Sequence, residues 1–231
     1  DQPEDAEEPE DADQPEDAEE PKAADRKEST EEPEDADRQE SADRQAQPQQ
    51  AAPADAAPAA PAPANGFCKN IITVINNAAT ALKLTLKDVK IDVSDTGSYW
   101  VEGKAALSVQ GKGNVEIELD GNNELKSGPH RAGLEKNTST STGTLTLKDD
   151  KEAGSGSLKA TGGKYGAGIG GGNYGSGENI TITDGTVNAT GGWGGAGIGG
   201  GYYGSGKTIT IKGGTVNAAG GEEGAGIGGG Y

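Results

Sequence analysis

Tyr174 and Tyr203 stand 29 residues apart, as do Tyr202 and Tyr231, with Trp193 close to them in sequence. Rings at one fixed spacing suit a sugar-binding surface, where they pack against the apolar faces of pyranose rings. The same spacing suits rings that stack on one another and stabilise a corner. The residues alone leave both readings open. A second candidate is Asp120-Gly-Asn-Asn-Glu124, in which Asp120, Asn122 and Glu124 set oxygen donors at alternate positions, the donor type that calcium takes. Calcium needs about six to eight oxygens and the segment lacks the full EF-hand pattern, so a bare turn competes with a calcium site.

Catalysis finds little material. His130 is the one histidine and Cys68 the one cysteine, which leaves few options for Ser/His or Cys/His nucleophiles. It also excludes an intrachain disulfide framework and a Cys-pair zinc site. His130 reads as a corner residue before Ala132, and Cys68 as a small hydrophobe ahead of the first strand. The regular copies hold only Glu178, Asp184, Glu222 and Glu223, and Asp184 becomes Gly213 one repeat later, so no catalytic acid pair recurs. Gly166, Gly168 and Gly171 match a dinucleotide fingerprint, but that motif works between a strand and a helix that meets the pyrophosphate. Here Gly175-Ser-Gly177 and another strand follow. The chain reads as non-enzymatic.

The elements that carry these residues follow from a repeat. Gly166-Ala-Gly-Ile-Gly-Gly-Gly172 returns at Gly195 to Gly201 and at Gly224 to Gly230. Ile180, Ile182 and Val187 recur as Ile209, Ile211 and Val216, and a fixed period of this length means a solenoid. Three short apolar runs per unit, bounded by Gly, Asn or Asp, predict three strands joined by turns. Worn copies lie upstream. Thr144-Leu-Thr-Leu147 matches Asn179-Ile-Thr-Ile182 at an offset of 35 and Leu158 matches Val187 at 29, which puts six extra residues in the 148–156 loop. Leu107, Leu134, Ile169, Ile198 and Ile227 mark successive first strands, and Leu82 to Val93 supplies the opening strands. Alternation points Ile180, Ile182, Val187 and Ala189 inward and Thr181 and Thr183 outward. The expected fold is all-β, a right-handed parallel β-helix with three faces and about five coils. In the glycine block the same alternation leaves Gly166, Gly168 and Gly170 facing outward. These glycines serve either as tight corners or as a nearly bare face for a sugar chain or a second solenoid.

Composition divides the chain near Asn65. Residues 1–65 hold 22 acidic and 5 basic residues and no glycine, whereas residues 66–231 hold 16 acidic and 15 basic residues and all 40 glycines. Of the net charge of −18, −17 therefore belongs to the first segment and −1 to the rest. With Pro-Glu-Asp-Ala repeated from Pro3, Pro9, Pro15 and Pro33 and an Ala/Pro/Gln stretch after Gln45, that segment predicts a disordered acidic stalk or linker. The acidic balance argues against nucleic acid and anionic membrane as partners. No apolar run is long enough to span a bilayer. The absence of methionine and a stop where a further strand is expected suggest a processed or truncated piece.

The Gly-Ala-Gly-Ile-Gly-Gly-Gly units, alternating with Asn179-Ile-Thr-Ile182 and Gly185-Thr-Val-Asn-Ala189, resemble secreted bacterial surface proteins. Such proteins are often found beside parallel β-helix carbohydrate-binding domains of the polygalacturonate-binding type. The likeness is strong over Gly166 to Tyr231 and looser over Ala105 to Gly163, where Asn114 to Leu125 looks like that domain's core phrase. The resemblance implies a non-catalytic module at the cell surface or outside the cell that binds acidic polysaccharide with calcium. Three expectations follow: a carbohydrate-binding or adhesin module for polysaccharide or cell-wall glycan, a structural surface spacer, and, more distantly, an ice-binding solenoid using the outward threonines.

Overall fold

A computed structural model describes residues 66–151 and 155–231; the segment read as a stalk, residues 1–65, lies outside them. Each coil contributes three strands. The first has β1 (Ile72–Ile75), β2 (Leu82–Lys87) and β3 (Lys90–Asp92), and the second has β4 (Leu107–Gln110), β5 (Val115–Asp120) and β6 (Asn122–Lys126). The third has β7 (Leu134–Glu135), β8 (Leu145–Lys148) and β9 (Ser157–Thr161), and the fourth β10 (Ile169–Gly170), β11 (Gly177–Ile182) and β12 (Thr186–Thr190). The fifth has β13 (Ile198–Gly199), β14 (Gly206–Ile211) and β15 (Thr215–Ala219), followed by β16 (Ile227–Gly228). Strands of like position stack in parallel into three sheets, ordered β1-β4-β7-β10-β13-β16, β2-β5-β8-β11-β14 and β3-β6-β9-β12-β15. This is the expected three-faced parallel β-helix of about five coils.

The register follows the repeat. Ile180 stacks between Leu145 and Ile209, and Val187 between Leu158 and Val216. The offset of 35 in one sheet and 29 in the next confirms that the six extra residues fall between β8 and β9. Ile180, Ile182, Val187 and Ala189 are buried while Thr181 and Asn188 between them are partly exposed. A coil cannot bury its own inward row, so the core forms only by stacking, at a spacing of about 4.8 Å per coil. The opening coil differs from the expectation in one respect. β1 precedes Leu82 and pairs with β4, Ile72 against Leu107. Its Ile-Thr-Val-Ile carries no glycine block, so comparison with the repeat does not reach it. Cys68 sits just before β1, half-buried, bridged to Ile91 and packed against the core.

The glycine block departs from the outward-facing strip that alternation implies. Gly166 to Gly172 and Gly195 to Gly201 are buried throughout. A Cβ on Gly195 would lie 2.2 Å from the carbonyl oxygen of Gly166, and one on Gly168 would lie 2.6 Å from the amide nitrogen of Thr190. Only two residues of each block are extended strand; the rest turns, so the period of two does not run through it. The glycines are where coil meets coil and where the chain folds back over the end of the third sheet. In these two copies the glycines leave no outward strip, whereas the third copy, Gly224 to Gly230, is partly exposed.

One coil carries a lysine inside. Lys136 follows β7 at the position that Gly171 holds one coil on, and it is fully buried, with Nζ donating to the Ser141 carbonyl at 3.3 Å. Burial pushes its pKa down to about 8 against the opposing pull of Glu178.

Candidate binding site

The aromatic residues gather at one edge because the first strand of each coil is so short. The turn before it and the turn after it come within one hydrogen bond of each other: Tyr202 N–H donates to the Tyr165 carbonyl at 2.9 Å, and Asn173 N–H to the His130 carbonyl at 2.9 Å. The turn before the strand uses a left-handed residue in successive coils, His130 at φ 68°, Tyr165 at 71°, Gly194 at 69° and Glu223 at 67°. The turn after it does so at Tyr174 and Tyr203, φ 56° and 57°. The structure therefore brings all five sequence-predicted aromatic residues together. Tyr174 stacks on Tyr203 with centroids 5.6 Å apart and planes at 25°, and Tyr202 on Tyr231 at 5.5 Å and 8°. Trp193 packs against Tyr202 at 5.2 Å and edge-on to Tyr165 at 5.3 Å.

These contacts settle part of the ambiguity in the sequence. The tyrosines do stack on one another from coil to coil, so many ring faces are occupied by neighbouring rings. The Tyr165 hydroxyl donates to that of Tyr99 at 3.0 Å, which pushes its pKa up to about 12, and a hydrogen bond with Tyr203 raises that of Tyr202 as well. The free faces lie elsewhere. Trp100, on the loop between β3 and β4, is 87% exposed, and Tyr174, covered by Tyr203 on one side, is 70% exposed. Both line a cleft of about 300 Å³ together with Glu102, His130 and Asn173. A second cleft of about 220 Å³ adjoins it and reaches Tyr99, Tyr165 and Tyr202.

The loop that carries Trp100 is tied to the solenoid at three points. The Tyr99 carbonyl accepts from His130 Nε2 at 2.9 Å, its hydroxyl meets Tyr165, and Lys164 Nζ lies 3.8 Å from its ring centroid. Since Nε2 must carry a proton for the first bond, His130 Nδ1 is left to accept from Asn173 Nδ2 at 3.0 Å. That fixes the Asn173 amide and leaves its buried Oδ1 without a hydrogen-bond donor. His130 is thus the corner residue that the sequence implies and also the post on which the Trp100 loop rests.

Sequence reasoning missed Tyr99, Trp100, Asn173 and Tyr165 as members of the site. Tyr165 and His130 carry a usable signal, since they occupy equivalent turn positions 35 residues apart. Tyr99 and Trp100 lie in an insertion outside the repeat, which periodicity cannot reach.

The oxygen donors proposed for calcium do not converge. Asp120 Oδ2 is 2.5 Å from Lys151 Nζ and 3.4 Å from Lys87 Nζ, and these lysines hold its carboxyl below the ordinary range. Asn122 Oδ1 accepts from Ser157 Oγ at 3.0 Å. Burial tends to raise the pKa of Glu124, but Lys159 at 3.1 Å and Lys126 at 3.3 Å outweigh it and the pKa is lowered. Glu124 instead joins the row Lys90, Glu124, Lys159, Asn188 and Asn217 on the outer face of the third sheet. With lysine ammonium groups already against both carboxylates, these residues do not fit a calcium ion. No group of three or more His, Cys, Asp or Glu among the described residues is placed to hold a metal. Nor does a helix among them have the length and apolarity to cross a membrane.

A family model described as a β-helix repeat matches residues 180–202 and 209–231. These are the last two repeats, each running from the inward Ile of the second sheet to the tyrosine of the next corner. No curated protein and no solved structure matches the chain.

Proposed function

We propose that this β-helix is a non-catalytic carbohydrate-binding module that works outside the cell or at its surface, with the aromatic corner as its binding site. The observation that carries the reading is the cleft between Trp100 and Tyr174. A large exposed indole, a second exposed ring and a few polar groups converge on a concavity at the lower end of the size range for small-ligand sites. An exposed indole beside a second exposed ring gives the apolar face of a sugar a surface to pack on while its hydroxyls stay solvated. The β-helix repeat supports the architecture, a rigid rod that presents one edge over several coils. Glu102 is the one carboxylate that lines the cleft, and Asp120 and Glu124 elsewhere are bound up in lysine pairs, which supports binding over hydrolysis.

A structural spacer is the second reading, favoured by the coil-to-coil stacking of Tyr174 on Tyr203 and Tyr202 on Tyr231. A glycan array probed with the full-length protein separates the two. Saturable binding that Trp100→Ala and Tyr174→Ala each weaken supports the module. Absence of binding, from protein shown by circular dichroism to be folded, supports the spacer.

A further inference from the structure

We infer that the cleft between Trp100 and Tyr174 takes an uncharged glycan and rejects a uronic-acid chain, an inference that rests on the carbohydrate reading above. A polyuronate carries a carboxylate on each sugar. Bringing that carboxylate against a protein is favoured most by a cation that replaces its water, a lysine, an arginine or a metal ion.

Two cations near this cleft, Arg131 and Lys164, already have partners within the protein. Arg131 spans two carboxylates, with Nε 3.2 Å from Glu102 and Nη1 2.8 Å from Glu135. Glu135 is buried, and burial pushes its pKa up against the pull of Arg131, so withdrawing the guanidinium would strand a buried acid. Lys164 lies over the Tyr99 ring and holds the loop. Both ring nitrogens of His130 are engaged, Nε2 as donor and Nδ1 as acceptor. Glu102 itself lines the cleft and would face an incoming carboxylate with like charge. Nor does the cleft bring a metal site of its own: among the described residues no group of three or more His, Cys, Asp or Glu is placed to hold an ion, and Glu102 is the one carboxylate that lines it.

An uncharged sugar makes no such demand. It needs ring faces, which Trp100 and Tyr174 supply, and acceptors for its hydroxyls, which the Glu102 carboxylate supplies.

The test titrates the full-length protein with xyloglucan, galactomannan and cello-oligosaccharides on one side and polygalacturonate and alginate on the other, with calcium and with chelator, following tryptophan fluorescence and binding heat. We expect saturable binding of at least one uncharged glycan that changes less than about twofold from roughly 50 to 500 mM salt. Trp100→Ala should weaken it roughly tenfold or more while Trp100→Phe, which keeps a ring, restores most of it. Tighter binding of a polyuronate than of any uncharged glycan, with or without calcium, overturns the inference and leaves the carbohydrate reading standing. Binding of none of these glycans overturns both.

Discussion

The ring of Tyr174 stacks on that of Tyr203 in the next coil at 5.6 Å and 25°, although both residues hold positive φ near 56°. A left-handed conformation costs an ordinary residue about 1–2 kcal/mol. An aromatic pair returns about 0.5–1.5 kcal/mol beyond its buried area. The corner is therefore close to balanced, with strain in the backbone offset by contact between side chains, and the ring remains displayed beside the cleft.

Substitution at this position separates the two contributions. Tyr174→Ala loses the stack and keeps the strain, whereas Tyr174→Gly loses the stack and relieves the strain. The glycine variant should be more stable than the alanine variant by about 1 kcal/mol in urea unfolding. Equal midpoints would mean that the left-handed turn carries no strain. Both variants should bind glycan equally weakly.

The core predicts a contrast between two isoleucines in one stack. Ile182 is fully buried between Leu147 and Ile211, whereas Ile211 is 45% exposed. Ile182→Ala should cost about 2–5 kcal/mol through lost burial and the cavity left behind. Ile211→Ala should cost roughly 1 kcal/mol. Comparable losses from the two would show that the last described coil is packed as tightly as the interior.

Lys136 predicts a rise of stability with pH. Its pKa is about 8 in the fold against an ordinary 10.5, so between those values the unfolded chain binds a proton that the folded chain does not. Stability then increases with pH. Raising pH from 7.5 to 9.5 should add about 2 kcal/mol to the wild type. Tyr165 and Tyr202, with raised pKa values, lower stability as pH climbs past the ordinary tyrosine value of about 10, so their effect falls mostly above this window and opposes the slope. Lys136→Met should abolish the slope and be more stable at pH 7.5. A slope that survives in Lys136→Met would assign it to another group.

Calcium should leave the melting temperature unchanged. Lys87 and Lys151 already neutralise Asp120, and Lys126 and Lys159 neutralise Glu124. Scanning calorimetry in millimolar calcium and in chelator should give coincident transitions. A shift of several degrees with calcium would show that the lysines yield to the ion.

The coils were legible in the sequence because their cause is periodic. Ile180 over Ile209, Val187 over Val216 and the six-residue insertion before Ser157 all follow from apolar residues that recur at fixed offsets, since each coil must cover the row that its neighbour exposes. The pairing of Tyr174 with Tyr203 was legible on the same ground. Three features were decided only by the tertiary structure. The glycine block closed inward because its residues turn instead of alternating, and a turn leaves no period to read. Asp120 and Glu124 met lysines from neighbouring strands, a matter of cross-coil neighbours as much as of spacing along one loop. Trp100 reached the aromatic corner because an unrepeated loop is pinned there by His130, Lys164 and Tyr165, residues far from it in sequence that come together only when the coils are wound.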